Sequence, residues 1–147
     1  MPTVDREVTT RTDPQRVWEF LSDFTTTEQW DPPTVRTVRT TGHGGVGTVY
    51  ENTSRILGRD TDITYTVVES EPPRLLRLRG RSSSMTALDT IEVSPVEGGG
   101  TRVHYTAEFS LQGAAKLVEP LMPLGLKKLG DDAAASLQVH LDALHGA

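Results

Sequence analysis

The sequence predicts an α+β fold: a curved, seven-stranded antiparallel sheet wrapped around one long C-terminal helix, with two short helices between the first and second strands. Three observations carry this. An alternating opening segment runs straight into a capped amphipathic helix. Six further strand-like segments then follow one another through tight turns, and the chain closes on a helical stretch with a leucine stripe. A curved sheet has an apolar face to cover, and the terminal helix is the only large element left to cover it.

The elements follow in order. TVDREVTT alternates, with Val4, Arg6 and Val8 in one phase. Asp13 is a natural N-cap, and Pro14 suits the first helical position, where its missing N–H loses nothing. Val17, Trp18 and Leu21 then fall at core-facing helical spacing. A threonine run leads to a helical turn ending at Trp30, where the DPP that follows forbids continuation. VRTVRT is the second strand and GHGGVG a glycine-rich connection. TVYENTSRIL and DITYTVVES form a hairpin expected to turn at Gly58-Arg59. EPPR turns the chain into LLRLRGR, the run Ser82 to Ser84 into MTALDTIEV, and EGGG into TRVHYTAEFSL. From Gly113 onward the chain is helical in its C-terminal half, with Leu137, Leu141 and Leu144 as the stripe. Pro120, Pro123 and Gly125 weaken that helix at its start, which would supply a mobile mouth.

Bulk properties narrow the functional classes. The 147 residues are expected to form one domain spanning 1–147. A net charge of −5 offers no field for nucleic acid or an anionic membrane, so no nucleic-acid partner is expected. There is no cysteine, which removes disulfides, thiolate metal sites and a cysteine nucleophile. No secretory signal and no apolar run of membrane-spanning length is visible, so a cytoplasmic location without stable membrane insertion is expected. The chain is 5% aromatic, yet both Trp residues and two of its three Phe residues lie between residues 13 and 33. Those rings either close a core or roof a cavity.

Strand phase favours a cavity. On the last hairpin, Val93 is expected opposite Val103, Ile91 opposite Tyr105, Asp89 opposite Ala107 and Ala87 opposite Phe109, which puts both apolar phases on one face. A turn at Gly58-Arg59 would likewise pair Ser54 with Ile63, Asn52 with Tyr65 and Tyr50 with Val67. The inner face then carries Tyr50, Asn52, Ser54, Tyr65, Asp89 and Tyr105 among its apolar residues. A solid core avoids so many polar groups needing partners, whereas a ligand cavity has this mixture. Small residues on the last helix (Gly125, Gly130, Ala133, Ala134) would leave volume unfilled opposite the sheet.

With these segments in hand, the chain resembles the SRPBCC, or START-like, superfamily and its helix-grip fold. Members include polyketide cyclases/dehydrases, the birch-pollen allergen group and lipid-transfer START domains. The resemblance rests on DPQRVWEFLSDFTTTEQWDP, the strand entry GVGTVYE, the hairpin TYTVVESEPPRLLRL and the final strand GGGTRVHYTAEFSLQG, which together span nearly the whole chain. It implies a deep apolar cavity between sheet and long helix, with the short helices at one end. It does not fix chemistry, because members range from enzymes to carriers.

Asp89 is the most suggestive residue. A carboxylate on an apolar strand face is a candidate general base with a raised pKa, or a ligand hydrogen-bonding group. The favoured structural alternative is an ion pair with Arg6, which shares the inward phase two strands away. Tyr50, Tyr65 and Tyr105 are candidates to hold a ligand carbonyl or hydroxyl; amphipathic lining, with their hydroxyls satisfied by Asn52, Ser54 or water, is the alternative. Trp30 is a candidate lid residue, while Trp18 reads as core. Phe109 joins Asn52 on the candidate ligand-facing surface. His43, His104, His140 and His145 show no metal-ligand spacing, so neither metal nor cofactor is expected. GHGGVG lacks the ending and the helix of a phosphate loop, and no serine sits in a GxSxG elbow. Lys127 and Lys128 alone make a thin case for a membrane surface. The expected function is binding of a hydrophobic or amphipathic small molecule such as a lipid, polyketide or aromatic metabolite. The alternative is a cofactor-independent cyclase or dehydratase of the polyketide type.

Overall fold

A computed structural model describes residues 2–56 and 58–146. Strand β1 (Thr3–Thr10) is followed by α1 (Pro14–Ser22), a short 3-10 turn (Phe24–Thr26) and α2 (Thr27–Trp30). Strands β2 (Thr34–Thr41), β3 (Val49–Ile56), β4 (Arg59–Glu71), β5 (Leu75–Arg81), β6 (Met85–Pro95) and β7 (Thr101–Leu111) come next. A 3-10 segment (Gly113–Leu121) then leads into α3 (Met122–His145). The strands form one antiparallel sheet in the order β1-β7-β6-β5-β4-β3-β2, so six strands meander and the first closes onto the last. This is the helix-grip architecture expected from the sequence.

Local chemistry accounts for the element boundaries. The Asp13 carboxylate accepts from the Arg16 N–H at 3.1 Å, capping α1 behind Pro14. The 3-10 segment carries Pro120, and the α-helix proper starts only at Met122, with Pro123 in its first turn. The prolines thus set where α3 begins, and a regular helix covers less of this region than the leucine pattern alone suggests.

The β6–β7 register is the one expected, with Asp89 opposite Ala107 and Ile91 opposite Tyr105. The β3–β4 register differs. Tyr50 faces Tyr65, Asn52 faces Ile63 and Ile56 faces Arg59, so the ladder extends to Arg59. Leu57 lies outside the described residues. Gly58, at φ +77°, takes the second turn position, where a left-handed backbone is needed, and Arg59 joins the ladder. The change moves every partner by two residues, so each side chain keeps its face.

Helix α3 packs chiefly against β1. Gly130 makes this possible: a Cβ there would lie 2.9 Å from Val4 Cγ1 and from Arg6 Cζ. Gly130 therefore admits β1 rather than leaving space, and Ala133 is buried, contrary to the expectation; of the set, Gly125 is the one that lines the cavity. The far end of α3 is fastened by hydroxyls. Thr12 Oγ1 donates to Leu141 O at 2.5 Å, Thr10 Oγ1 to Asp142 Oδ1 at 2.7 Å, and Gln138 Nε2 to Thr9 O at 2.7 Å. Val17, Trp18 and Leu21 of α1 join Leu137 and Leu141 in the main core, so Trp18 is a core residue as expected.

The close helix–strand approach is testable. Gly130→Leu replaces a poor helix former with a good one, so helical propensity alone would stabilise. The clash with Val4 should dominate and lower unfolding stability by about 1–3 kcal/mol in a urea titration; an unchanged or raised midpoint would refute the contact's importance.

Candidate functional site

A cavity of about 530 Å³ lies between the inner face of the sheet and the start of α3. Its floor follows from strand pairing. One row across the sheet runs Tyr65, Gly80, Ala87, Phe109, and the next runs Val67, Leu78, Asp89, Ala107, Val4. Small residues in the middle of the first row let the flanking rings lie over the sheet. Gly80 is required for this, since a Cβ there would meet Tyr65 Cε1 at 2.7 Å. The roof is the 3-10 segment and α3, through Val118, Leu121, Met122 and Gly125.

One end wall is built by α2 and its termination. Pro32 disfavours helical geometry at Asp31, which adopts φ −97° and ψ 106° as the C-cap. The turn buries Trp30 to 2% exposure, with its ring edge-on to Tyr105 at 5.8 Å. Trp30 is therefore a fixed wall residue and not a surface lid. Its indole Nε1 is buried without a hydrogen-bond partner among the described residues. Next in the chain, Asp31 also lines the cavity and accepts from Thr34 Oγ1 at 2.7 Å.

Asp89 lies on the cavity wall at 4% exposure, and the Tyr105 hydroxyl donates to its Oδ2 at 2.8 Å. Arg6 does not reach it. The Arg6 guanidinium is drawn out to α3, where it meets Asp131 at 3.1 Å and Lys127 O at 3.2 Å. The expected Arg6–Asp89 ion pair is thus replaced by a phenol–carboxylate hydrogen bond. Burial pushes the Asp89 pKa up to about 7; the Tyr105 bond opposes this and the charge of Asp31 adds to it. Burial likewise raises Asp31 to about 6, against the Thr34 bond. Burial first, and then the charge of Asp89, holds Tyr65 and Tyr105 protonated well above the ordinary phenol range. These two acids and two phenols form one electrostatic cluster.

The remaining polar residues divide in two. Asn52 lines the cavity, but its amide donates to Thr37 Oγ1 at 2.8 Å and to Thr34 Oγ1 at 3.3 Å, and it accepts from Ser54 Oγ at 2.7 Å. Thr37 also shares a hydroxyl contact of 2.7 Å with Thr27. That network ties β2, β3 and α2 together and leaves Asn52 little capacity for a ligand. Tyr50 is off the cavity wall. The observed register sets it opposite Tyr65 and beneath Phe24, whose ring lies 5.7 Å away, and it is 1% exposed. Trp30, Asn52, Tyr65, Asp89, Tyr105 and Phe109 share the cavity wall.

Asp31 escaped the sequence reading. Its signal was WDPP: a residue held extended between a buried ring and two prolines has to place its side chain near that ring. No group of histidines and carboxylates able to hold a metal occurs among the described residues. His104 instead pairs with Asp5 at 2.6 Å on the outer surface. No helix among the described residues is long and apolar enough to cross a membrane.

The family model described as polyketide cyclase / dehydrase and lipid transport matches residues 1–142, and the chain belongs to that family. Among solved structures, the Zhui aromatase/cyclase from Streptomyces sp. R1128 superposes with a TM-score of 0.80 at 14% identity, covering 96% of this chain and 93% of that one. A START superfamily protein from Mycobacterium smegmatis gives 0.81 at 12% identity, covering 97% and 98%. Ara h 8.0201 gives 0.68 at 14% identity, covering 95% and 97%. No functionally curated protein sequence matches the chain. At these identities the structural neighbours share the fold.

The buried acids carry a pH signature. Each holds its proton more tightly folded than unfolded, so its stabilising effect is full below about pH 4 and is lost as pH rises to about 7. Asp89→Asn removes the largest such penalty. Its stability relative to the wild type should rise between pH 4 and pH 8 by on the order of 3 kcal/mol, read from denaturation midpoints across that range; a pH-independent difference would contradict the burial of a proton-holding Asp89.

Proposed function

We propose that this protein binds a hydrophobic or amphipathic small molecule in the cavity between sheet and α3, acting as one domain in the cytoplasm without metal, cofactor or nucleic acid. The observation that carries the reading is the composition of the wall. It offers aromatic and aliphatic area from Phe24, Trp30, Ile63, Phe109 and Leu126, while Asp89, Tyr65 and Asp31 supply a few polar points. A pocket of this size and mixture fits a drug-sized apolar molecule with one polar end. Membership of a family described by cyclase, dehydrase and lipid-transport activities supports the same reading.

A second reading has a specific observation behind it. Asp89, with a pKa near 7 and hydrogen-bonded to Tyr105, has the protonation balance of a general acid or base at neutral pH. A cofactor-independent cyclase or dehydratase would use it to move a proton on a poly-β-ketone held against the aromatic wall.

Native mass spectrometry of the protein purified from cells without detergent is expected to show a retained apolar molecule of a few hundred daltons, released on denaturation. Repeated preparations free of any such mass, together with failure of apolar probes to bind, would remove the binding reading. The two readings separate at Asp89→Asn. An enzyme relying on that proton should lose about 10²-fold or more in turnover, whereas unaltered turnover by an active preparation would take Asp89 out of the chemistry.

A further inference from the structure

The polar groups facing the cavity are unbalanced in charge. Asp31 and Asp89 both line it, and the only basic side chain on the same wall among the described residues is Arg55. Arg55 stands at the rim, 62% exposed, and is held by Asp60 at 3.2 Å. Arg6, the nearest candidate by strand phase, is committed to Asp131. Two carboxyl groups therefore share a largely apolar hollow with no buried cation between them.

A second observation points into the same space. Tyr65 is 9% exposed and lines the cavity, and its hydroxyl has no hydrogen-bond partner among the described residues. Asp89 receives one hydrogen bond, from Tyr105 to Oδ2, and its Oδ1 has no donor among those residues. Around these unpaired oxygens stand the rings of Phe24, Trp30, Tyr65, Tyr105 and Phe109. Carboxylate oxygens in a hollow whose wall also carries aromatic rings suit a ligand cation. The carboxylates accept its N–H bonds, and the π-faces favour its charge in a site poor in water.

We propose that the ligand of this cavity carries a basic nitrogen, an ammonium group seated between Asp31 and Asp89 with its apolar body against the aromatic wall. The assignment deepens the cavity-binding function proposed above and rests on it. A neutral ligand would leave two carboxyl groups without a counter-charge, and an anionic one would add a third negative centre to the same hollow. A cation balances them. Burial raises Asp89 to about 7 and Asp31 to about 6, so near neutrality Asp89 still holds part of its proton while Asp31 is mostly ionised, and an arriving ammonium would displace protons chiefly from Asp89.

Three probes with one apolar chain test this: decylamine, decanol and decanoate, titrated calorimetrically at pH 7 below their aggregation limits. Decylamine is expected to bind about tenfold more tightly than decanol, and decanoate most weakly. In Asp89→Asn and in Asp31→Asn the decylamine-to-decanol ratio should fall to near unity. Repeating the decylamine titration in buffers of different ionisation enthalpy should show net proton release. If decanol or decanoate binds within about threefold of decylamine, or if the preference survives in both variants, the basic nitrogen is refuted while the apolar cavity stands. If none of the three binds, the cavity reading falls and the nitrogen with it.

Discussion

The approach of α3 to β1 is the constraint from which the rest of the molecule follows. Gly130 lets the helix backbone settle on Val4 and the stem of Arg6. The hydroxyls of Thr10 and Thr12 fasten the other end of the helix to Leu141 and Asp142. A helix held that closely at one edge of a curved sheet cannot also fill the concavity over β3 and β4. The α1–α2 segment closes one end of the space, through Phe24 against Tyr65 at 4.9 Å and Trp30 against Tyr105. What remains is the hollow beneath Leu121, Met122 and Gly125. The cavity is thus a consequence of where the helix is gripped.

Within that hollow the polar groups follow two rules. On the β2–β3 side, Asn52, Ser54, Thr37 and Thr27 satisfy one another, as buried polar groups in a stable interior do. Elsewhere on the wall, Asp89, Tyr65 and Trp30 Nε1 keep unmet hydrogen-bonding capacity, and two acids are held without a buried base among the described residues. The first set locks the strand that borders the site and is structural. The second lowers the stability of the folded protein wherever the acids ionise, which a ligand could offset by supplying what the walls lack. The distribution is what separates scaffold from site here, since both sets are equally polar by composition.

Much of this was legible in the sequence, for identifiable reasons. Strong period-two alternation on β6 and β7 fixed their register, and with it the shared face of Asp89 and Tyr105. The β3–β4 turn was misjudged by one position, because a single glycine satisfies either turn placement until the ladder is seen. The two-residue change spared the faces but carried Tyr50 under Phe24 and out of the cavity. Phase also put Arg6 toward Asp89 without showing that Asp131, one turn beyond Lys127 on α3, would capture it first. Asp31 was hidden because a helix-ending Asp-Pro-Pro has a sufficient local explanation, and only the tertiary fold places its carboxyl beside the sheet. Gly130 read as empty volume because sequence does not say what a missing side chain faces.

The structural neighbours sharpen what the fold contributes. Backbones that superpose over most of both chains at 12–14% identity have kept the grip of helix on sheet while exchanging most side chains. The fold is therefore the shared property, and the chemistry of the cavity belongs to each sequence. In this chain the buried acids and phenols of the cavity wall are Asp31, Asp89, Tyr65 and Tyr105. The wall between them is apolar, and the roof above them carries exposed Val118 and Leu121. Those apolar side chains would offer a hydrophobic body an approach separate from the Arg55–Asp60 pair. On the proposed reading, the two acids would then discriminate by charge among ligands of equal apolar area. Selectivity in this molecule would arise from the order in which a ligand meets those two environments, greasy first and acidic second.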